Sequence, residues 1–193
     1  IALLLFTGGL ILQSFFNDGF GKGDIIIEGI APKIMGVTLD ILQNAGMKIT
    51  TGEDSIHLQP NGALHPYTLE TQPYPGLATD MQAQFMALAT LIPGTSVITE
   101  TIFENRFMHV PELCRLGANI TVNGTVATVR GVSELRGAPV MATDLRASVC
   151  LVLAALAAHN TSEVSRVYHL DRGYERLEAK LSTLGADIER VKA

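Results

Sequence analysis

Asp80 is the side chain whose type and setting most directly suggest chemistry. It stands where an irregular approach, residues 74–76, gives way to an apolar helix pattern, with Thr79 before it and Gln82 after it. Thr-x-x-Gln is a capping-box pattern, which predicts that Thr79 caps the helix and that Asp80 lies in the first turn, beside the positive end of the helix dipole. An aspartate at a helix start is commonly a cap itself. Because Thr79 is expected to fill that role, the Asp80 carboxylate is available to a ligand, and both interpretations stay open.

Two later helix patterns begin with arginines that raise the same question. Asp144 and Arg146 precede a long apolar pattern, and Arg172 precedes the last one, with Asp171 expected to cap that helix. The helix dipole disfavours a cation at this end. An arginine is well placed there if a phosphate or carboxylate binds to the guanidinium and the free backbone N–H groups. The alternatives are ordinary ion pairs, Asp144 with Arg146 and Arg172 with Asp171 or Glu175.

The remaining reactive side chains favour structural roles. Arg106 is expected to form a structural ion pair, and His109 and His169 lack the spacing of a metal-binding pair. Cys114 and Cys150 lie in apolar helix patterns without metal or redox spacing, which predicts reduced, buried thiols. The sequence contains no glycine-rich phosphate loop, Ser-His-Asp set or zinc pattern. We therefore expect neither a metal nor a cofactor.

Composition limits the class of protein. The chain has 193 residues, 47% of them hydrophobic, and a formal net charge of −5. That length can bury a full core, and the acidic balance argues against a nucleic-acid binder. Residues 1–16 are apolar but broken by glycines and polar residues, too short for a membrane span and without the basic start of a signal peptide. Since the chain does not open with methionine, we expect a fragment whose first residues form a core helix.

A repeated pattern of helix, glycine and strand indicates the fold. The three copies are Leu42…Gly46…Ile49, Leu113…Gly117…Ile120 and Leu181…Gly185…Ile188. Each predicts a helix that ends in a left-handed glycine cap and is followed by a strand. The predicted helices are 9–17, 33–45, 81–92, 110–116, 145–159 and 174–184. The predicted strands are 24–28, 48–51, 55–59, 67–71, 96–100, 119–122, 125–130, 139–142, 163–167 and 187–191.

These elements form one α/β domain, residues 1–193, of three β-α-β-α-β-β units at about 1–62, 63–135 and 136–193. Because both helices of each unit carry apolar faces, we expect helices inside and sheets outside. The first unit lacks its opening strand, except for a trace at residues 2–6, and the third lacks its closing strand. Another segment is expected to cover these open edges.

Four sequence blocks, 80–85, 99–109, 141–148 and 168–176, closely resemble the UDP-N-acetylglucosamine enolpyruvyl transferases. The resemblance is near-continuous from about residue 24 to 192. It implies one of the two inside-out α/β barrel domains of that family, with the active site in the cleft between them. The missing first domain would carry the family's substrate-gripping lysine and its loop cysteine, which neither Cys114 nor Cys150 matches.

The implied reaction transfers the enolpyruvyl group of phosphoenolpyruvate to the 3-hydroxyl of UDP-N-acetylglucosamine, the first committed step of peptidoglycan synthesis, in the cytoplasm. By this resemblance, Asp80 is the general base on the sugar hydroxyl, and Arg172 grips the phosphoenolpyruvate anion. Asp144 and Arg146 form the wall facing the same anion, and the backbone of Ile102 touches the N-acetyl sugar. No metal, membrane or nucleic acid is implied.

Three other interpretations remain. The chain could be a non-catalytic half-enzyme or ligand-binding module, because half of the cleft would be absent. It could instead act as a 5-enolpyruvylshikimate-3-phosphate synthase, which shares the architecture, although the Asp80 and Arg172 blocks favour the sugar-nucleotide enzyme. An RNA-binding α/β domain is disfavoured by the acidic balance.

Overall fold

A computed structural model describes residues 24–59, 61–145 and 147–191. The helix predicted at 9–17 and the strand trace at 2–6 lie outside these ranges. The strands are β1 (Ile25–Glu28), β2 (Lys48–Thr51), β3 (Ser55–Gln59), β4 (Thr68–Glu70), β5 (Thr95–Thr99), β6 (Asn119–Asn123), β7 (Val126–Arg130), β8 (Pro139–Met141) and β9 (Glu163–Ser165). The helices are α1 (Gly36–Asn44, entered through the 3-10 turn Pro32–Met35), α2 (Thr79–Ala89), α3 (Val110–Arg115), α4 (Val149–Ala157), α5 (Tyr168–Asp171) and α6 (Leu177–Thr183).

The strands form three sheets. In the first, β3 lies between β1 and β2 and is antiparallel to both. The second has the order β4-β5-β7-β6, with β4 parallel to β5 and the other pairs antiparallel. In the third, β8 is parallel to β9. A buried helix connects each parallel pair, α2 in the second sheet and α4 in the third. From β4 to β7 the element order is therefore β-α-β-α-β-β.

The predicted glycine caps form the same hydrogen-bonded turn three times. Gly46, Gly117 and Gly185 have φ angles of +106°, +95° and +90°, in the left-handed region that glycine adopts without strain. In each turn the residue after the glycine donates its N–H to the carbonyl of the leucine named in the repeat, at 3.0 to 3.1 Å. This is the Schellman arrangement, which pairs carbonyls that the helix end leaves open.

Helices α2 and α4 form the interior and pack against each other. Every residue from Met81 to Ala89 is buried in α2, as is every residue from Val149 to Ala154 in α4. Large side chains such as Phe85 and Leu151 are completely buried, and each such burial contributes about 1.5–3 kcal/mol. Helices inside and sheets outside are thus as predicted.

Several elements differ from prediction, among them three in residues 144–191. Helix α4 begins at Val149 instead of 145, because Asp144, Ala147 and Ser148 are joined in a separate hydrogen-bonded turn before it. The last predicted helix begins at Leu177 instead of 174. Residues 187–191 form no strand with any other described residue, so the strand predicted there is wrong. A strand needs a hydrogen-bonding neighbour, which the local sequence pattern does not reveal.

Candidate active site

Asp80 lies in the first turn of α2, as predicted. The predicted cap is wrong, however. Ala78 is the N-cap residue, and the Thr79 hydroxyl donates to the Glu100 carboxylate at 2.8 Å. The amide nitrogen of Gln82 is buried and bonds to no other described group. Because the N-cap is Ala78, Thr79 already lies inside the first turn of the helix, and its hydroxyl donates to a distant acidic residue.

Arg106 anchors the Asp80 carboxylate. Its Nη2 lies 3.3 Å from Asp80 Oδ1, and the two side chains are 21% and 14% exposed. The same guanidinium lies 4.9 Å from the centroid of the Phe103 ring, in cation–π range. The structural pair predicted for Arg106 is confirmed. Asp80 is thus held by a neighbouring loop yet keeps part of its surface in contact with solvent.

The loop after β5 lies beside Asp80 and contains Ile102. The backbone N–H groups of Ile102 and Phe103 donate to Glu100 Oε1 at 2.9 and 3.1 Å. A surface pocket of about 250 Å³ adjoins this loop, and its lining includes Phe103, Arg106 and Met108. Phe103 and Met108 are more than half exposed. The loop therefore presents a fixed backbone and an apolar surface close to a carboxylate.

Asp144 closes the turn that leads into α4. Its Oδ1 accepts the N–H of Ala147 at 2.7 Å, and its own N–H donates to Ser148 Oγ at 3.1 Å. The Ser148 hydroxyl in turn donates to the Asp144 carbonyl. One carboxylate oxygen thus has a structural role in the turn. Arg146 lies outside the described residues, so its predicted place beside Asp144 stays a prediction.

Arg172 lies at the end of a helix, and the prediction that it starts one is wrong. It is the C-cap residue of α5, and α6 begins only at Leu177. Asp171 does not cap α6, because the N-cap residue of that helix is Arg176; both oxygens of Asp171 pair with Arg190, at 2.5 and 3.0 Å. That pairing lowers the pKa of Asp171. Arg172 is exposed, and within 24–59, 61–145 and 147–191 no carboxylate forms an ion pair with it.

The structure brings the candidate elements together around Tyr174. A Cβ added to Gly173 would lie 2.9 Å from Leu145 Cδ1, so the turn that carries Arg172 packs directly on the turn that carries Asp144. Tyr174 itself is buried. Burial raises the pKa of its hydroxyl, and the charges of Asp80 and Asp144 add to that rise. Both carboxylates therefore lie within electrostatic range of one side chain.

His109 lies in the same interior region. It is fully buried, and no described group bonds to either ring nitrogen. Burial lowers its pKa to about 4, an effect that the Asp144 charge opposes and the Arg106 charge reinforces.

Of the two thiols predicted to be buried, Cys150 is buried and its pKa is raised by that burial, whereas Cys114 is exposed on α3. The prediction for Cys114 is wrong because it lies on the outer face of a short helix.

Over the described ranges, no three His, Cys, Asp or Glu side chains gather into a group that could hold a metal ion. Nor does any helix there combine the length and the apolar character needed to cross a bilayer.

Glu100 joins the candidate elements in a way that its sequence pattern alone did not predict. It is 2% exposed, although it carries a formal charge, and it contacts both the start of α2 and the loop containing Ile102. A signal was present: Glu100 is an acidic residue between two threonines, directly after a strand with apolar residues. A charged group in that setting needs buried partners.

The architecture is that of an enolpyruvyl transferase domain. The enolpyruvyl transferase NikO from Streptomyces tendae superposes on 98% of this chain with a TM-score of 0.85 at 30% identity, and the match covers 44% of NikO. EPSP synthase from Acinetobacter baumannii matches 94% of the chain and 45% of its own, with a TM-score of 0.73 at 15% identity, which shows the fold alone.

The family described as EPSP synthase (3-phosphoshikimate 1-carboxyvinyltransferase) matches residues 20–181, and the chain belongs to this family. Its relatives include the UDP-N-acetylglucosamine 1-carboxyvinyltransferases of Sphingopyxis alaskensis, 59% identical over 172 residues, and of Zymomonas mobilis, 60% identical over 169 residues. These matches cover 89% and 88% of the chain. The chain spans 40% of the length of each of these two relatives.

Proposed function

We propose that this chain supplies part of the active site of a UDP-N-acetylglucosamine 1-carboxyvinyltransferase. The observation that carries the proposal is the placement of Asp80, a partly exposed carboxylate at the start of a buried helix, anchored by Arg106 beside the Ile102 loop. The names of the relatives at 59% and 60% identity support the choice of substrates. A role in peptidoglycan synthesis, with its consequences for cell shape and division, and a cytoplasmic location belong to the same proposal.

In this mechanism Asp80 accepts the proton of the sugar 3-hydroxyl while the hydroxyl oxygen bonds to C2 of phosphoenolpyruvate. In the same addition the double bond of phosphoenolpyruvate opens and C3 takes up a proton from solvent. C3 then returns a proton to solvent as the bond from C2 to the phosphate oxygen breaks, which restores the double bond and releases phosphate with the electrons of that bond. The Ile102 backbone holds the N-acetyl sugar against Asp80.

Residues in the last third of the chain bind phosphoenolpyruvate in this scheme. Arg172 is exposed, and within the described ranges no carboxylate forms an ion pair with it, so it can reach phosphoenolpyruvate when the two domains close. Asp144 and Arg146 form the adjoining wall.

We further propose that residues 1–193 form one domain of three units, 1–62, 63–135 and 136–193. A first domain carrying the family's lysine and loop cysteine completes the cleft.

A chimera tests this proposal: the chain replaces the matching segment of the Sphingopyxis alaskensis relative, and phosphate release from phosphoenolpyruvate is measured. We expect release with UDP-N-acetylglucosamine and none with shikimate-3-phosphate. Release only with shikimate-3-phosphate would favour the alternative synthase. No release with either, from a folded chimera, would refute the proposal. The 193-residue chain alone is expected to be inactive, as the half-enzyme interpretation also requires.

Replacing the proposed base gives a sharper test. Asp80→Asn in the chimera should lower kcat by about 100-fold or more, because a positioned base contributes about 10²–10⁴-fold. The thermal midpoint should change little, since asparagine keeps the shape of the side chain. Asp40→Asn, at an exposed position of α1, is the matched control and should leave kcat unchanged. Wild-type turnover in Asp80→Asn would exclude the role assigned to Asp80; Asp80→Ala should behave in the same way.

A further inference from the structure

We propose that Glu100 is the positioning residue that holds Asp80 and the Ile102 backbone in one fixed geometry. The inference rests on the proposed function, because it assigns Asp80 to the sugar hydroxyl. Glu100 does not touch the substrate in this scheme. It acts through the two elements that do.

The Glu100 carboxylate connects three separate segments. Oε2 accepts the Thr79 hydroxyl at the start of α2, at 2.8 Å. Oε1 accepts the Thr71 hydroxyl, just after β4, at 3.0 Å. The same oxygen accepts the N–H groups of Ile102 and Phe103 in the loop after β5. One buried side chain therefore sets the position of the residue next to Asp80 and of the loop that faces it.

Its own position is fixed on both sides. The Glu100 backbone N–H donates to the Thr125 carbonyl at 2.8 Å, which holds the end of β5 against the turn between β6 and β7. Thr71 Oγ1, while donating to Glu100, accepts the Thr101 N–H at 2.9 Å, and the Thr101 hydroxyl donates to the Thr71 carbonyl. With four donors the carboxylate is well satisfied, as a buried charge must be. Losing it would leave four donors without an acceptor.

The geometry distinguishes two variants of Glu100. In Glu100→Gln the side-chain oxygen can keep the three hydrogen bonds of Oε1. The amide nitrogen can donate to the Thr79 hydroxyl, which then accepts a hydrogen bond instead of donating one. In Glu100→Ala all four bonds are lost. Positioning therefore predicts that glutamine restores most of the function that alanine removes.

The kinetic test uses the chimera. Glu100→Ala should lower kcat by about 100-fold, the cost of a displacement of about 1 Å at a reacting group. It should raise the KM for UDP-N-acetylglucosamine and leave the KM for phosphoenolpyruvate unchanged, because Arg172 belongs to a different segment. Glu100→Gln should stay within about tenfold of wild type. Equal changes in both KM values, or no difference between the two variants, would overturn the proposal.

Two further variants separate positioning from loss of stability. Thr79→Val removes only the hydrogen bond between Glu100 and the start of α2. It should lower kcat without raising the KM for UDP-N-acetylglucosamine. This test remains usable if Glu100→Ala folds poorly. Glu112→Ala is the matched control, because Glu112 is 12% exposed and accepts the Met141 N–H at 2.8 Å. It should cost stability without the KM pattern of Glu100→Ala. A wild-type kcat in Thr79→Val would contradict the proposal.

Amide hydrogen exchange on the 193-residue chain tests whether Glu100 holds the Ile102 loop, and it requires no enzymatic activity. Exchange at Ile102 and Phe103 should speed up at least tenfold in Glu100→Ala and stay near wild type in Glu100→Gln. Unchanged exchange in Glu100→Ala would show that the carboxylate does not hold the loop. If the wild-type chimera is inactive, the proposed function fails, whereas the exchange experiment still confirms or refutes the positioning by Glu100.

Discussion

Lowering the pH from 7 to 4 should weaken the folded protein, and His109 should contribute about 3 kcal/mol of that loss. The imidazole is fully buried, and burial lowers its pKa from the ordinary value of 6.5 to about 4. Each tenfold change in proton affinity corresponds to about 1.4 kcal/mol, so the difference between these two values amounts to about 3 kcal/mol.

The sign follows from which state binds the proton. Below pH 6.5 the unfolded chain protonates His109 while the folded protein keeps it neutral, so acid favours unfolding. The contribution of His109 is fully retained above pH 6.5, declines as the pH falls, and is lost by about pH 4. Between pH 7 and pH 5.5 the expected loss is about 1 kcal/mol.

The assay is urea unfolding of the 193-residue chain at pH 7, 5.5 and 4.5, with His109→Leu for comparison. Asp144 and Arg106, the charges that act on the imidazole, remain in the variant, so the difference between the two pH profiles isolates His109. His65→Leu, at an exposed position, controls for the loss of a histidine as such. Parallel pH profiles for wild type and His109→Leu would refute the reasoning.

Three further substitutions test the packing and the outer ion pair. Gly131→Ala should cost about 3 kcal/mol or more in urea unfolding, because its Cβ would lie 1.8 Å from the Ile92 carbonyl oxygen. Gly36→Ala, where nothing lies within 4 Å and the residue is helical, should leave stability equal or raise it by up to about 1 kcal/mol. Equal effects of the two would contradict the packing. Arg190→Ala should cost at most about 1 kcal/mol at low salt and less at high salt, because its pair with Asp171 is about 40% exposed; a salt-independent loss would argue against an ion-pair origin.

Local signals predicted much of the fold correctly. The pairing of β2 with β3 has the predicted bounds, and the three glycine caps have the predicted left-handed φ angles. These features depend on residues a few positions apart, so a short stretch of sequence contains the information. The place of Asp80 in the first turn of α2 was predictable for the same reason. The four sequence blocks also indicated the family to which the chain belongs.

The tertiary structure decided which groups the site residues bind. Thr79 bonds to Glu100 instead of capping its helix, Asp80 pairs with Arg106, and Asp171 pairs with Arg190. Each partner lies 19 to 26 positions away in the sequence. A hydroxyl or carboxylate bonds to the strongest group within reach, and packing brings that group into reach. The sequence by itself therefore determined the elements and the residue types at their ends, whereas the contacts that orient those residues depended on the packing of distant segments.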